Sequence, residues 1–227
     1  MTDPRLTLES IVAQAITIAD SDGLAGVSMR KIADALGVGA MSLYRHVADK
    51  DALLVEMTAE VTRRFAYPQE MMGDPDWRTR VRVAVEYDFN LYSTHPWVLL
   101  AYAVPRNGMQ PETLVCFDWL LETFSHLGVP VPEAAELAFQ VWSYSQGVGL
   151  GAVGGQLVSP GARTDFSGLS ELIDGNVGVP ESPRLAALVG VGDLPQVTNP
   201  REVIVKGVEI LCDGIARRYA PATDSRR

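Results

Sequence analysis

Ser42, Tyr44, Arg45 and His46 crowd into one short stretch, with Arg30 and Lys31 before it and Lys50 just after. Hydroxyl, phenol, imidazole and cationic groups at this density are hydrogen-bond donors, the kind that hold phosphate oxygens and reach base edges. Signals for other chemistry are weaker. His46, His95 and His126 are the only histidines, and none forms a ligand cluster with a nearby acid at metal spacing. Cys116 and Cys212 stand far apart and read as buried thiols in a reducing compartment. Ser28-Met-Arg-Lys31 matches S-x-x-K, but no second lysine motif accompanies it, and a capping serine ahead of a basic helix face accounts for it. Gly149-Leu-Gly-Ala-Val-Gly154 has the form G-x-G-x-x-G, with Glu171 downstream. A dinucleotide site needs a strand before the first glycine and a helix after the last; here a helical pattern precedes and a Pro/Ser/Gly stretch follows. No catalytic group, metal site or cofactor is expected, and the chain is not read as an enzyme.

The elements that must carry the donor cluster are helical. Leu8, Ile11, Val12, Ala15, Ile16 and Ala19 recur at three- and four-residue steps, with Thr7 as N-cap and Gly23 near the end. Ser28 caps a second helix containing Ile32, Ala33 and Leu36, and Gly37 allows a sharp turn. A third short helix is expected from about Gly39 to His46. Asp49 caps a fourth, with Leu53, Leu54, Met57, Val61 and Phe65 along its buried side. Helices are then expected at about 76–94, 97–103, 112–127 and from 132 to past Gln146. From Gly147 to about Pro195 the composition turns to Gly, Pro and Ser, which reads as an insertion. A last helix carries Ile204, Val208, Leu211 and Ile215 on one side. The fold class is therefore all-α: a three-helix head at 1–48, a connecting helix at 49–66 and a larger helical body at 67–221.

The bulk numbers are compatible with that plan. The chain has 227 residues, 47% of them hydrophobic, and no run near the roughly 18 apolar residues that span a bilayer. MTDPRLTLES lacks the basic-then-apolar layout of a secretory signal, so a cytoplasmic protein without membrane contact is expected. The net charge of −9 argues against nucleic acid until its distribution is considered. Between Ser28 and Lys50 the bases Arg30, Lys31, Arg45 and Lys50 outnumber Asp34 and Asp49, and the excess acid lies mostly beyond residue 66.

Helix, tight turn and second short helix form a helix-turn-helix, whose second helix lies in the major groove of double-stranded DNA. Ser42, Tyr44 and His46 can then face DNA while Leu43 and Val47 anchor the helix behind. The order Gly23-Leu-Ala-Gly-Val-Ser-Met-Arg-Lys-Ile-Ala-Asp-Ala-Leu-Gly-Val, then Ser42-Leu-Tyr-Arg-His-Val, then Asp49-Lys-Asp-Ala-Leu-Leu, resembles the N-terminal domain of the tetracycline-repressor (TetR) family over nearly all of residues 8 to 66. The resemblance implies phosphate contacts from Tyr44, His46, Lys50 and Ser28, and a base contact within reach of Arg30. It places Gly39, Ala40, Met41 and Ser42 at groove-facing positions, where small and apolar residues leave little direct hydrogen-bond readout.

The remaining two-thirds resembles the family's regulatory domain more loosely. The segment from Val141 to Val153 is similar to a helix of the tetracycline-repressor subgroup, which implies a homodimer through this helix and the last one. The stripe Ile204, Val208, Leu211 and Ile215 is the expected interface. Aromatic residues crowd the middle of the chain, most of them core, with polar handles interleaved. Asn90, His95, Trp97, Tyr102, Phe117, Trp142 and Gln146 are the candidate residues for a mostly apolar effector. The combined expectation is a ligand-responsive transcriptional regulator, usually a repressor in this family, released from operator DNA by its effector. Two alternatives stand beside it: a helical small-molecule-binding or scaffold protein, and an enzyme on a helical bundle.

Overall fold

The computed structural model describes residues 6–159, 182–184, 187 and 199–219, and among these every regular element is helical. Helix α1, Leu8–Gly26, begins at a capping box in which Thr7 and Ser10 satisfy each other's backbone N–H groups. Its buried side carries Ile11, Val12, Ala15, Ile16, Ile18 and Ala19. The expected end at Gly23 is a break in geometry (φ +68°), beyond which the helix resumes to Gly26. Helix α2, Met29–Leu36, starts where Ser28 Oγ accepts from the Lys31 N–H at 3.2 Å. It stops at Gly37, whose φ of +70° sits in the left-handed region that a Cβ disfavours. The Gly37 N–H then closes the end on the carbonyls of Ala33 and Asp34.

Helix α3, Ala40–Leu43, is shorter than expected. Tyr44 already caps it, its N–H donating to the Ser42 carbonyl, and residues 44–46 continue as a turn. Helix α4, Lys50–Arg64, begins at Asp49, whose carboxylate accepts from the Ala52 N–H at 2.7 Å.

The head does not close on itself. Its core residues Ile11, Ile32, Leu43, Val47 and Leu53 belong to one apolar cluster with Leu91, Tyr92, Trp97, Val98 and Ala101. The chain groups into two compact units, Met1–Ala162 and Arg163–Arg227, the first of which holds the expected head and connecting helix.

Within the first unit the body is built from α5 (Trp77–Thr94), α6 (Val98–Tyr102), α7 (Pro105–Gly108), α8 (Pro111–Ser125) and α9 (Val131–Val158). Arg80, fully buried, ties α5 to α8. Its guanidinium stacks over the Trp119 ring, donates to the Trp119 carbonyl at 3.0 Å and pairs with Glu122.

Helix α9 corrects the composition reading, which begins an insertion at Gly147, and covers the Val141–Val153 segment that the family resemblance gives as helix. The helix runs on to Val158 because packing holds it where propensity is poor. At Gly149 an added Cβ would stand 2.6 Å from Tyr92 Cδ2, so the missing side chain is what lets α9 lie against α5. The G-x-G-x-x-G stretch is therefore helix interior. Most of the remaining expected insertion lies outside the described residues.

In the second unit the described helix is α10, Pro200–Tyr219. Ile204, Val208 and Ile215 are buried within the single chain, and Leu211 is half-buried. Three of the four residues of the stripe are thus covered within one chain. The apolar side chains that α10 leaves exposed are Val205 and Ile210.

Candidate functional site

The helix-turn-helix presents its polar residues as a consequence of how α3 is anchored. Leu43 is fully buried and Val47 nearly so, which turns the opposite side outward. Ser28, Arg30, Gly39, Met41, Tyr44, Arg45 and Lys50 are exposed, while Ala40, Ser42 and His46 are half-buried. Met41 is 78% exposed. The head's charges are partly engaged. Lys31 pairs with Asp22, Arg30 lies 3.9 Å from Asp34, and Lys50 Nζ donates to the Leu24 carbonyl at 3.3 Å. Arg45 is exposed beside Tyr44.

The body holds a cavity of about 270 Å³. Its walls come from the end of α4 (Thr62, Phe65), from Tyr67, from α5 (Asp88, Leu91, Tyr92), from α6 (Tyr102), from α7 to α8 (Gly108, Met109, Thr113, Cys116) and from α9 (Phe139, Trp142, Gln146). Of the expected ligand residues, Tyr102, Trp142 and Gln146 line it. Phe117 stacks behind, 5.1 Å from the Trp142 ring, and Asn90 is not among the lining residues.

His95 and Trp97 do something else. Both are buried, and both meet Asp20 of α1: His95 Nδ1 lies 2.8 Å from Asp20 Oδ1, and the Trp97 indole N–H donates to the same oxygen at 2.7 Å. Their polar atoms fasten body to head.

The residue that sequence reasoning missed is Asp88. The Tyr67 hydroxyl donates to its Oδ1 at 2.8 Å, Ser145 Oγ donates to its Oδ2 at 2.7 Å, and the Trp142 indole N–H donates to Tyr67 at 3.0 Å. Burial raises its carboxyl to about 6, against the pull of the hydrogen bonds from Ser145 and Tyr67. The Tyr67 phenol is pushed up by burial and by Asp88, and burial lifts the Cys116 thiol to about 11, which leaves it unreactive. The signal was present in the sequence: Asp88 falls on the same three- and four-residue steps as Val81, Ala84, Val85 and Tyr92, an acid at a core position. Among the described residues no cluster of His, Cys, Asp and Glu is placed to hold a metal, and no helix is long and apolar enough to cross a membrane.

Residues 11–57 match the family model described as bacterial regulatory proteins, tetR family. A curated relative, the HTH-type transcriptional repressor DrrR1 of Streptomyces coeruleorubidus, is 35% identical over 144 residues, 63% of this chain and 53% of that protein. The chain thus spans about half the length of these curated relatives. Among solved structures, the Streptomyces coelicolor TetR family protein ActR in complex with actinorhodin superposes with a TM-score of 0.74 at 21% identity, over 95% of this chain and 99% of that one. BioQ with its double-stranded DNA operator gives 0.63 at 19%, over 94% and 99%. At these identities the likeness is one of fold.

Proposed function

We propose that this chain, whose residues 11–57 match the family model of tetR-family bacterial regulatory proteins, is a homodimeric, ligand-responsive repressor of transcription. The observation that carries the reading is the exposed side of α3 with its flanks: Met41, Tyr44, Arg45 and Lys50 outward, Leu43 and Val47 buried behind them. Tyr44, His46, Lys50 and Ser28 take phosphate oxygens, which set register without reading sequence. Arg30 and the residues from Gly39 to Ser42 face base edges. Met41 is suited to a thymine methyl. Two heads in a dimer engage half-sites about 34 Å apart, one turn of the duplex.

The body cavity supports the regulatory half of the proposal. It is bounded by Thr62 and Phe65 at the end of α4, the same helix whose Leu53 and Met57 lie in the head's core. Thr62 is also hydrogen-bonded to Tyr102 across the cavity wall. An effector that fits one setting of α4 better than the other shifts the population of head positions, and the coupling works in both directions. Relatives point the same way: ActR has been solved with actinorhodin and BioQ with its operator.

The test is selection of bound fragments from random and genomic duplexes, followed by titration of the selected site at several salt concentrations. Tight binding that weakens steeply with salt is the expected result. Failure to enrich any duplex at low salt would overturn the reading in favour of a helical binding or scaffold protein.

A further inference from the structure

The body cavity has an electrostatic property that DNA binding does not require. Among the described residues lining it there is one carboxylate, Asp88, and no lysine, arginine or histidine. Asp88 is 7% exposed, and the groups that hold it, the Tyr67 and Ser145 hydroxyls, bring hydrogen bonds without positive charge. The titratable groups around it are Tyr67, Tyr92 of its own helix, Tyr102 of α6 and Cys116 of α8; burial raises the pKa of all four, so each is neutral near pH 7. A buried carboxylate without a cation is costly, and each of its oxygens, accepting one bond here, can accept another. A second group is incomplete. Thr113, 8% exposed and on the same wall, has a hydroxyl oxygen with no hydrogen-bond partner among the described residues. The rest of the wall is largely apolar and aromatic, with Phe65, Tyr92, Phe139 and Trp142.

We propose that the cavity selects a ring-bearing ligand with a protonated amine, its ammonium seated on the Asp88 carboxylate and a further polar atom on the Thr113 hydroxyl. The inference rests on the effector-binding reading above and names the chemical class it takes. The rings supply area against the aromatic wall. The ammonium supplies the missing positive charge, in a medium where a charge-assisted hydrogen bond is worth more than at a surface. A ligand carboxylate would meet Asp88 as a like charge and be rejected.

The probes are naphthylmethylamine, naphthylmethanol and naphthoic acid, which share a ring system and differ in the charge of the head group. Calorimetric titration of the full chain at neutral pH is expected to show the amine binding on the order of tenfold or more tighter than the alcohol, and no binding of the acid. At a pH of about 5, where the Asp88 carboxyl takes up its proton, the amine's advantage should shrink toward the alcohol's affinity. Asp88→Asn should bring amine and alcohol within about twofold of each other at neutral pH. The wild-type series needs no variant to fold, so it stands alone if Asp88→Asn does not. An alcohol that matches the amine, an acid that binds, an advantage unchanged at low pH or an amine that does not bind at all each overturns the proposal. None of these readings uses DNA. Loss of amine preference with duplex binding intact sinks this inference alone, and absence of duplex binding sinks only the regulatory reading.

Discussion

Asp88 binds its proton more tightly in the folded chain than in the unfolded one, because burial lifts its carboxyl from 3.8 to about 6. Between those values the folded state holds more protons, so this group's contribution to stability falls as pH rises through the window and stays lost above it. Asp88→Asn removes that loss. The variant's advantage over the parent should be smallest near pH 4 and reach on the order of 1–3 kcal/mol by about pH 7. Urea unfolding at the two pH values measures it, and a difference independent of pH would assign the titration to another group. On the head the residues divide by what they touch. Tyr44→Phe should weaken binding to every duplex alike, about three- to tenfold, and Lys50→Ala should in addition lower the salt slope by roughly one, since each removes a donor to phosphate. Both side chains are exposed, so helicity should not change. Substitutions at Met41 and Ser42 should instead change which operator is preferred. Equal losses on all duplexes would mean these two do not read bases.

At the scale of helices, α9 separates what local sequence encodes from what packing decides. Gly149→Ala places a Cβ 2.6 Å from the Tyr92 ring, and the strain of roughly 1–3 kcal/mol should outweigh the helix propensity gained. Gly151, two residues on, is exposed with nothing within 4 Å of an added Cβ, so Gly151→Ala should stabilise by roughly 0.5–1 kcal/mol. Opposite shifts in melting temperature are the expected result. Equal shifts would mean that α9 does not press on α5 at Gly149. The same contrast explains what could be read beforehand. The starts of α1, α2 and α4 were legible because Thr7, Ser28 and Asp49 cap within three residues of themselves. The turn at Gly37 is local in the same way. The extension of α9 to Val158 was not legible from composition, since five glycines from Gly147 to Gly155 argue against a helix that only its neighbours sustain; the family resemblance alone pointed to a helix there, as far as Val153. The hydrogen bonds of His95 and Trp97 to Asp20 were not legible, because Asp20 lies 75 and 77 positions away. Asp88 was legible in its spacing and lost among the aromatics around it.

Across the whole molecule the proposal requires two heads moving with two bodies, and so it requires association. The stripe Ile204, Val208, Leu211 and Ile215 does not supply it directly, since three of the four are buried within one chain. Ile204→Ala should therefore lower the melting temperature, by the loss of roughly 2 kcal/mol or more for a truncated core side chain, and leave the oligomeric state as it was. A different side of α10 is open. Ile210 is 67% exposed, and Val203, Gly207 and Gly214 share its side at three- and four-residue steps. Small residues around one large apolar side chain let a second helix approach closely. Ile210→Asp puts a charge where that second helix would lie. Light scattering should then report a monomer with unchanged helicity. Operator affinity should fall by more than about tenfold, because a single head makes half the phosphate and base contacts and forfeits the second as an intramolecular event. A dimer that survives Ile210→Asp would move the interface off this side of α10, with exposed Leu150 of α9 the next position to change. A monomer that kept full operator affinity would instead remove the need for two heads, and with it the half-site spacing on which the regulatory proposal depends.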